Sequence, residues 1–186
     1  CSNIEQSALC AVGGQRMNPD WMMPDEIFAW LEENVEKGAS VLEFGSGHGS
    51  LKLAQRFKLI SIEHNPDWLA VAPSKYVHAE IIENPVSNEH AQQGWYDPDP
   101  IIEAINSTRI SVVIVDGPPG DIGRHGLLSI LDVLPKDAIF IVDDVHRDDE
   151  LDLLQKLLVW HGGESVIHSA VYESGKERKW AVIQPR

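Results

Sequence analysis

Cysteine is nearly absent from this 186-residue chain: there are two, Cys1 and Cys10. Two thiols cannot build a disulfide framework or a zinc cage by themselves. Positive charge is scarce as well. Fifteen Lys and Arg face 29 Asp and Glu, a formal net charge of −14. Such a surface repels phosphate backbones, and the basic residues are scattered rather than gathered into a patch, so no nucleic-acid partner is expected. No apolar run reaches the ~18 residues of a membrane helix, so no membrane partner is expected either. There is no internal repeat and no low-complexity tract. What remains, 43% hydrophobic and 24% charged residues, is ordinary for a globular protein and excludes a disordered or collagen-like chain. The length fits one domain with a full core.

The chain opens on Cys1-Ser2-Asn3. A processed lipoprotein would begin this way, but with no signal peptide in view a trimmed fragment is the plainer reading. Residues 1–20 are polar, carry Gly13-Gly14 and show no period, which reads as a flexible N-terminal arm. The domain proper is expected over residues 21–186.

From Trp21 onward helix and strand signals alternate. Pro24-Asp25-Glu26 opens a helix with acid in its first turn; Ile27, Leu31 and Val35 share a face, and Gly38 stops it. Ser40 to Phe44 is a short buried strand, and Ser50 to Phe57 the helix after it. Leu59 to Glu63 and Tyr76 to Ile82 are further strands. A long polar loop, residues 83–99, carries Trp95 and Tyr96. Pro100 to Asn106 reads as a helix and Ile110 to Val115 as a fully buried strand. Leu127, Ile130, Leu131 and Leu134 have helical spacing. Ala138 to Val142 is another buried strand, and a helix runs from Asp148 to Gly162-Gly163. Two last strands flank Glu173-Ser174-Gly175-Lys176, a hairpin turn. The expectation is an α/β protein of the Rossmann-like, doubly wound kind, with a mainly parallel seven-stranded sheet and a C-terminal antiparallel hairpin. Ligands on such sheets bind beyond the carboxyl ends of the strands.

The first of those ends is Glu43-Phe44-Gly45-Ser46-Gly47-His48-Gly49-Ser50. Glycines there let a ligand approach the backbone, and the following helix offers free N–H groups. The spacing is Gly-x-Gly-x-Gly rather than the Gly-x-Gly-x-x-Gly of NAD sites. Glu43, two residues before the first glycine, suits an ammonium better than a pyrophosphate. Glu63 ends the next strand, where a carboxylate can accept two ribose hydroxyls. Here the chain resembles the class I S-adenosylmethionine-dependent methyltransferases: VLEFGSGHGS looks like their first motif and ISIEHNPDWL like the segment with the ribose-binding acid. The resemblance spans roughly residues 25–186. It implies that Glu43, Gly45, Ser46, Gly47, Gly49 and Glu63 surround S-adenosylmethionine, with Asp116 a further cofactor contact.

Two later strands end in carboxylates, VVIVDGPPG at Asp116 and IFIVDDVHR at Asp143 and Asp144. Adjacent strands lie ~4.8 Å apart, so neighbours would bring all three acids together. Each would raise the others' pKa unless a cation neutralised them. Hard oxygen donors suit Mg²⁺ or a similar divalent ion. Asp144 as a helix cap and Asp116 as an organiser of the Gly117-Pro118-Pro119-Gly120 turn are the structural alternatives. The arrangement is similar to that of metal-dependent O-methyltransferases of the catechol and macrocin types, and FGSGHGSLKLA and VDDVHRDDE resemble segments of plant glucuronoxylan-type polysaccharide O-methyltransferases. The resemblance implies a metal on Asp116, Asp143 and Asp144, and a sugar or small diol as acceptor. One departure is plain: where catechol-type enzymes carry a lysine base, this chain has Pro119.

His146, just past the Asp pair, is then the first candidate for the base, with Asp121 and His125 behind it. Trp95 and Tyr96 either stack on the acceptor or pack in the core. The rival readings are a metal-independent small-molecule methyltransferase, a cofactor-binding protein without catalysis, and an NAD-linked oxidoreductase disfavoured by the glycine spacing. A cytoplasmic location is expected, where the cofactor is made. A homo-oligomer is left open.

Overall fold

The apolar runs of the sequence become adjacent strands in the computed structural model of the chain, which describes residues 22–86, 94–106, 108–172 and 174–186. The arm expected over residues 1–20 lies outside the described residues. Helix α1 (Asp25–Asn34) buries Ile27 and Leu31 and keeps Asp25 and Glu26 in its first turn. Then come β1 (Ser40–Phe44), α2 (His48–Ala54), β2 (Lys58–Glu63) and β3 (Ser74–His78). A small pair, β4 (Ile81–Ile82) and β5 (Trp95–Tyr96), stands apart from the main sheet. The chain continues through α3 (Pro98–Ile105), β6 (Val112–Val115), β7 (Ile139–Val142), α4 (Asp148–His161), β8 (Glu164–Val171) and β9 (Glu177–Gln184).

The seven-stranded sheet has the order β3-β2-β1-β6-β7-β9-β8. Pairings from β3 to β7 are parallel, while β9 runs antiparallel to both its neighbours. This is the doubly wound sheet with a closing hairpin that the alternation predicted. The strand order reverses between β1 and β6, the position where sheets of this kind take their ligands.

Side chains of each central strand divide between two cores, because successive residues point to opposite faces. Leu42, Phe44, Val113, Val115, Phe140 and Val142 pack with α3 and α4 on one face. Val41, Val112, Ile114, Ile141, Trp180 and Val182 pack with α1 and α2 on the other. Both faces are covered, which explains the continuous apolar runs of β6 and β7.

Three local readings change. The helix after the glycine loop starts two residues early, at His48. The strand expected from Tyr76 to Ile82 is split: β3 ends at His78, and Ile81–Ile82 pairs with Trp95–Tyr96 instead. The segment His125–Val133 is a 3₁₀-helix. Its buried Leu127 and Ile130 are three residues apart, the 3₁₀ repeat, and Gly126 sits so close on Trp95 that a Cβ would lie 2.2 Å from the Trp95 Cβ. No helix among the described residues is long and apolar enough to cross a membrane.

Burial at the sheet's centre sets the cost of truncation. Ile114→Ala, with the wild-type side chain fully buried under α1 and α2 on a strand flanked by β1 and β7, should cost about 2–5 kcal/mol in urea unfolding. Val159→Ala, on the exposed face of α4, should stay within ~0.5 kcal/mol.

Candidate functional site

The loop from β1 to α2 turns at Gly45, whose φ of +88° is a left-handed conformation. A side chain there would also meet the Gly117 backbone, with Cα and N both 2.9 Å from its Cβ. The turns after β1 and β6 are therefore in contact, and Gly45 is required by shape as well as by φ. Gly47 is different: its backbone is extended, and the direction of its missing Cβ opens onto space with nothing within 4 Å. Its N–H donates to Ser50 Oγ at 3.1 Å, the capping bond of α2.

Glu63 holds this loop in place. Its Oε2 accepts from the Ser46 N–H at 2.9 Å, and its Oε1 accepts from the N–H groups of His64 and Asn65 at 2.8 and 2.7 Å. The carboxylate expected to meet a ribose thus also ties β1's turn to β2's end. Glu43 lies beneath the same loop, fully buried, and accepts from Ser61 Oγ. Burial drives its pKa up to about 7; hydrogen bonds from Ser61 and Ser50 oppose that rise, and the Glu63 charge adds to it.

At the ends of β6 and β7, Asp116, Asp143 and Asp144 converge with ligand-type oxygens within 4.8 Å of one another. The neighbouring strands bring them together as expected. Three arginines meet them there, which the sequence reading did not foresee. Arg178 Nη2 lies 2.7 Å from Asp143 Oδ2 and 2.5 Å from Asp144 Oδ1. Arg124 Nη2 lies 3.1 Å from Asp144 Oδ2 and 3.6 Å from Asp116 Oδ1. Arg147 reaches Asp144 Oδ2 at 3.1 Å and Glu150 Oε1 at 3.5 Å. Arg124 also donates to the carbonyls of Pro118, Asp143 and Asp116, bracketing both turns.

Charge and burial pull these acids apart. Burial, reinforced by the Asp143 charge, lifts Asp116 well above the usual carboxylate range. Asp143 is raised as well, by burial and then by Asp144. Burial also acts on Asp144, but Arg124, Arg178 and Arg147 outweigh it and hold that carboxyl low. Asp144 has φ +63°, a left-handed conformation uncommon for a residue with a side chain. It does not cap α4: the N-cap residue there is Arg147, with no side-chain bond.

His146 sits at the rim, about a quarter exposed, with Nδ1 3.9 Å from Asp144 Oδ1. Burial lowers its pKa below the ordinary histidine value, against the pull of Asp144. His125 is buried, with Nε2 2.7 Å from Asp152 Oδ2, so it does not face the trio. Asp121 is exposed on the turn after Gly120. Trp95 and Tyr96 take the core alternative. Both are fully buried, 5.4 and 6.1 Å from the Phe44 ring. The Tyr96 hydroxyl finds no hydrogen-bond partner among the described residues, and a Cβ on Gly117 would lie 2.7 Å from it.

Arg124, Arg178 and Glu150 escaped the sequence reading. Arg178 had a signal: it shares the inward alternation of Trp180 and Val182 on β9. Beside it opens a cavity of about 330 Å³ between the start of α1 and the end of β8, lined by Met22, Met23, Lys52 and Tyr172 among others. The Tyr172 hydroxyl donates to the Met22 carbonyl at 2.7 Å and stands 3.0 Å from Arg178 Nη1.

No protein-family model matches the chain, and no curated protein does so. Solved structures do. The O-methyltransferase TomG of Streptomyces achromogenes, involved in tomaymycin synthesis and solved with SAM, superposes with a TM-score of 0.58 at 16% identity, over 90% of this chain and 83% of TomG. An O-methyltransferase from Bacillus cereus in complex with SAH gives 0.55 at 11% identity, over 97% and 88%. An rRNA methylase from Streptococcus thermophilus gives 0.51 at 13%, over 89% and 98%. The chain has the fold of these methyltransferases.

The buried Glu43 makes stability depend on pH in a stated direction. Its pKa is higher folded than unfolded, so its contribution favours the native state below about pH 4.5 and is lost as pH rises through 7. Glu43→Gln removes that loss. Urea unfolding should show the variant gaining about 3 kcal/mol on wild type between pH 4.5 and 7.5; a pH-independent difference would show that Glu43 titrates normally.

Proposed function

We propose that the chain is an S-adenosylmethionine-dependent methyltransferase that methylates a hydroxyl of a small-molecule or carbohydrate acceptor. The observation that carries this reading is the β1–α2 loop, with Gly47 open above it, Glu63 bonded to the Ser46 amide and Glu43 buried beneath. That loop lies at the strand reversal of a sheet shared with structures holding SAM or SAH. A carboxylate at the end of β2, Glu63, and a raised acid at Glu43 suit a ribose and an ammonium. Gly45, Ser46, Gly47, Gly49 and Asp116 complete the residues that would hold the cofactor.

Bound there, the cofactor supplies an electrophilic methyl on a sulfonium. Methyl transfer from it to an acceptor hydroxyl would leave that hydroxyl's proton for a residue of this chain to take. His146 is the residue for that proton. Burial holds its pKa below the ordinary value, which favours the neutral form that can accept a proton, and it stands at the rim of the acidic cluster. The 330 Å³ cavity by Met22 and Tyr172 is the size of a small-ligand pocket, and Tyr172 on its wall contacts Arg178 of the cluster. A hydroxyl acceptor follows the O-methyltransferase likeness; a sugar with adjacent hydroxyls follows the resemblance of VDDVHRDDE to polysaccharide O-methyltransferases.

A divalent ion such as Mg²⁺ would fall to Asp116, Asp143 and Asp144. Their donor chemistry suits it, but their arrangement does not. Arg178 and Arg124 already contact the oxygens of Asp143 and Asp144 that such an ion would need. No step is therefore routed through a metal, and the metal-independent form of the reading is the one the arginines favour.

Calorimetry with S-adenosylhomocysteine tests the proposal first. Wild type should bind one equivalent, and Glu63→Ala should weaken binding by about tenfold or more. His146→Ala should lower kcat by about 10²–10⁴ with cofactor affinity unchanged. A folded wild type that ignores the ligand at millimolar concentration would remove the proposal.

A further inference from the structure

We propose that Arg178 is the built-in counter-cation of Asp143 and Asp144, and that its guanidinium keeps a divalent ion from the acidic trio. This inference concerns the trio itself and stands or falls whatever the acceptor is.

The position of Arg178 follows from strand register before any attraction is considered. Val142, the last residue of β7, is opposite Ala181 on β9. Because β9 is antiparallel, its earlier residues run past the carboxyl end of β7 and lie beside Asp143 and Asp144. Alternation along β9 puts Arg178 on the inward face with Trp180. The side chain is thus delivered to the acids by the hairpin, and it is buried.

There it is held from more than one side. Nη2 bonds Asp143 Oδ2 at 2.7 Å and touches Asp144 Oδ1 at 2.5 Å. Nη1 lies 3.0 Å from the Tyr172 hydroxyl and 3.4 Å from the Met22 carbonyl. The guanidinium also lies over the Tyr172 ring, 5.4 Å from its centroid. An ion bridging Asp143 and Asp144 would sit about 2.0–2.6 Å from the same oxygens. That volume is the one Nη2 fills. Arg124 approaches the remaining Asp144 oxygen from the far side at 3.1 Å. A divalent ion would have to displace a held guanidinium and then stand beside the buried Arg124 and, at Asp144, the more exposed Arg147.

Arg178 is therefore a positioning residue: it orients the carboxylates next to His146 in the way a metal would otherwise do. Its hairpin ties three parts of the chain together, the approach to α1 through Met22, the end of β8 through Tyr172 and the end of β7 through Asp143.

The test is a titration with Mn²⁺ followed by electron paramagnetic resonance, using the full chain. Wild type and Asp143→Asn should be indistinguishable, with no ion held at concentrations on the order of 0.1 mM. Arg178→Gln, checked for folding by circular dichroism, should hold one ion per chain at least about tenfold more tightly than wild type. Adding Asp143→Asn to Arg178→Gln should abolish the gain. The proposal is overturned if wild type holds one ion per chain that Asp143→Asn releases, or if folded Arg178→Gln binds Mn²⁺ no better than wild type. Should Arg178→Gln fail to fold, the comparison of wild type with Asp143→Asn decides alone, equality supporting the proposal and a difference overturning it.

Discussion

Charge removed from water at one edge of the sheet is the constraint on which the rest of this structure turns. Asp116, Asp143, Asp144 and Glu150 face Arg124, Arg147 and Arg178 at the carboxyl ends of β6 and β7. Buried ions of this kind add little net stability as pairs, yet removing one partner costs about 3–5 kcal/mol because the other is stranded. The cluster therefore dictates geometry more than it contributes energy. It requires a strand beside β7 that runs backwards, so that an arginine near that strand's start can reach Asp143. It also requires the turns after β6 and β7 to stay bracketed, which Arg124 does through three carbonyls as well as through Asp144.

The neighbouring crevice obeys a milder form of the same rule. Glu63 is buried but accepts from three backbone N–H groups, with His64 Nδ1 also 2.9 Å from its Oε1. Glu43 is buried with hydroxyls for company, so its proton is held near neutral pH. A cation placed over the loop would favour the ionised form. Glu63 ties the loop down, while Glu43 beneath it would ionise if a cation were placed above.

Much of this was legible in the sequence, for identifiable reasons. Alternation of apolar runs with amphipathic stretches predicted the doubly wound sheet, because a strand buried on both faces has no polar period. Gly45 and the acids Glu43, Glu63, Asp116, Asp143 and Asp144 stood out because ligand chemistry collects at strand ends. The arginines did not, because partners brought together by a crossover carry no fixed spacing: Arg124 and Arg178 are 54 positions apart and meet only through the register of β9 on β7. For Trp95 and Tyr96 the sequence left two outcomes open, stacking on the acceptor or packing in the core. Polar residues on either side read as a loop, while tertiary packing against Phe44 pulls the pair inside. The 3₁₀ segment at His125–Val133 was hidden by Leu131 and Leu134, whose spacing also suits an α-helix.

The central claim is that the crevice above the β1–α2 loop is where the sulfur nucleoside binds. Amide chemical shifts of ¹⁵N-labelled protein titrated with S-adenosylhomocysteine test it residue by residue. The account predicts the largest changes at Gly45–Gly49 and at His64 and Asn65, whose amides converge on Glu63. Another cavity of about 330 Å³ lies at the opposite, amino edge of the sheet, lined by Arg109, Ser111, Asp137 and Gln184. Changes concentrated there, with the glycine loop unmoved, would contradict the account.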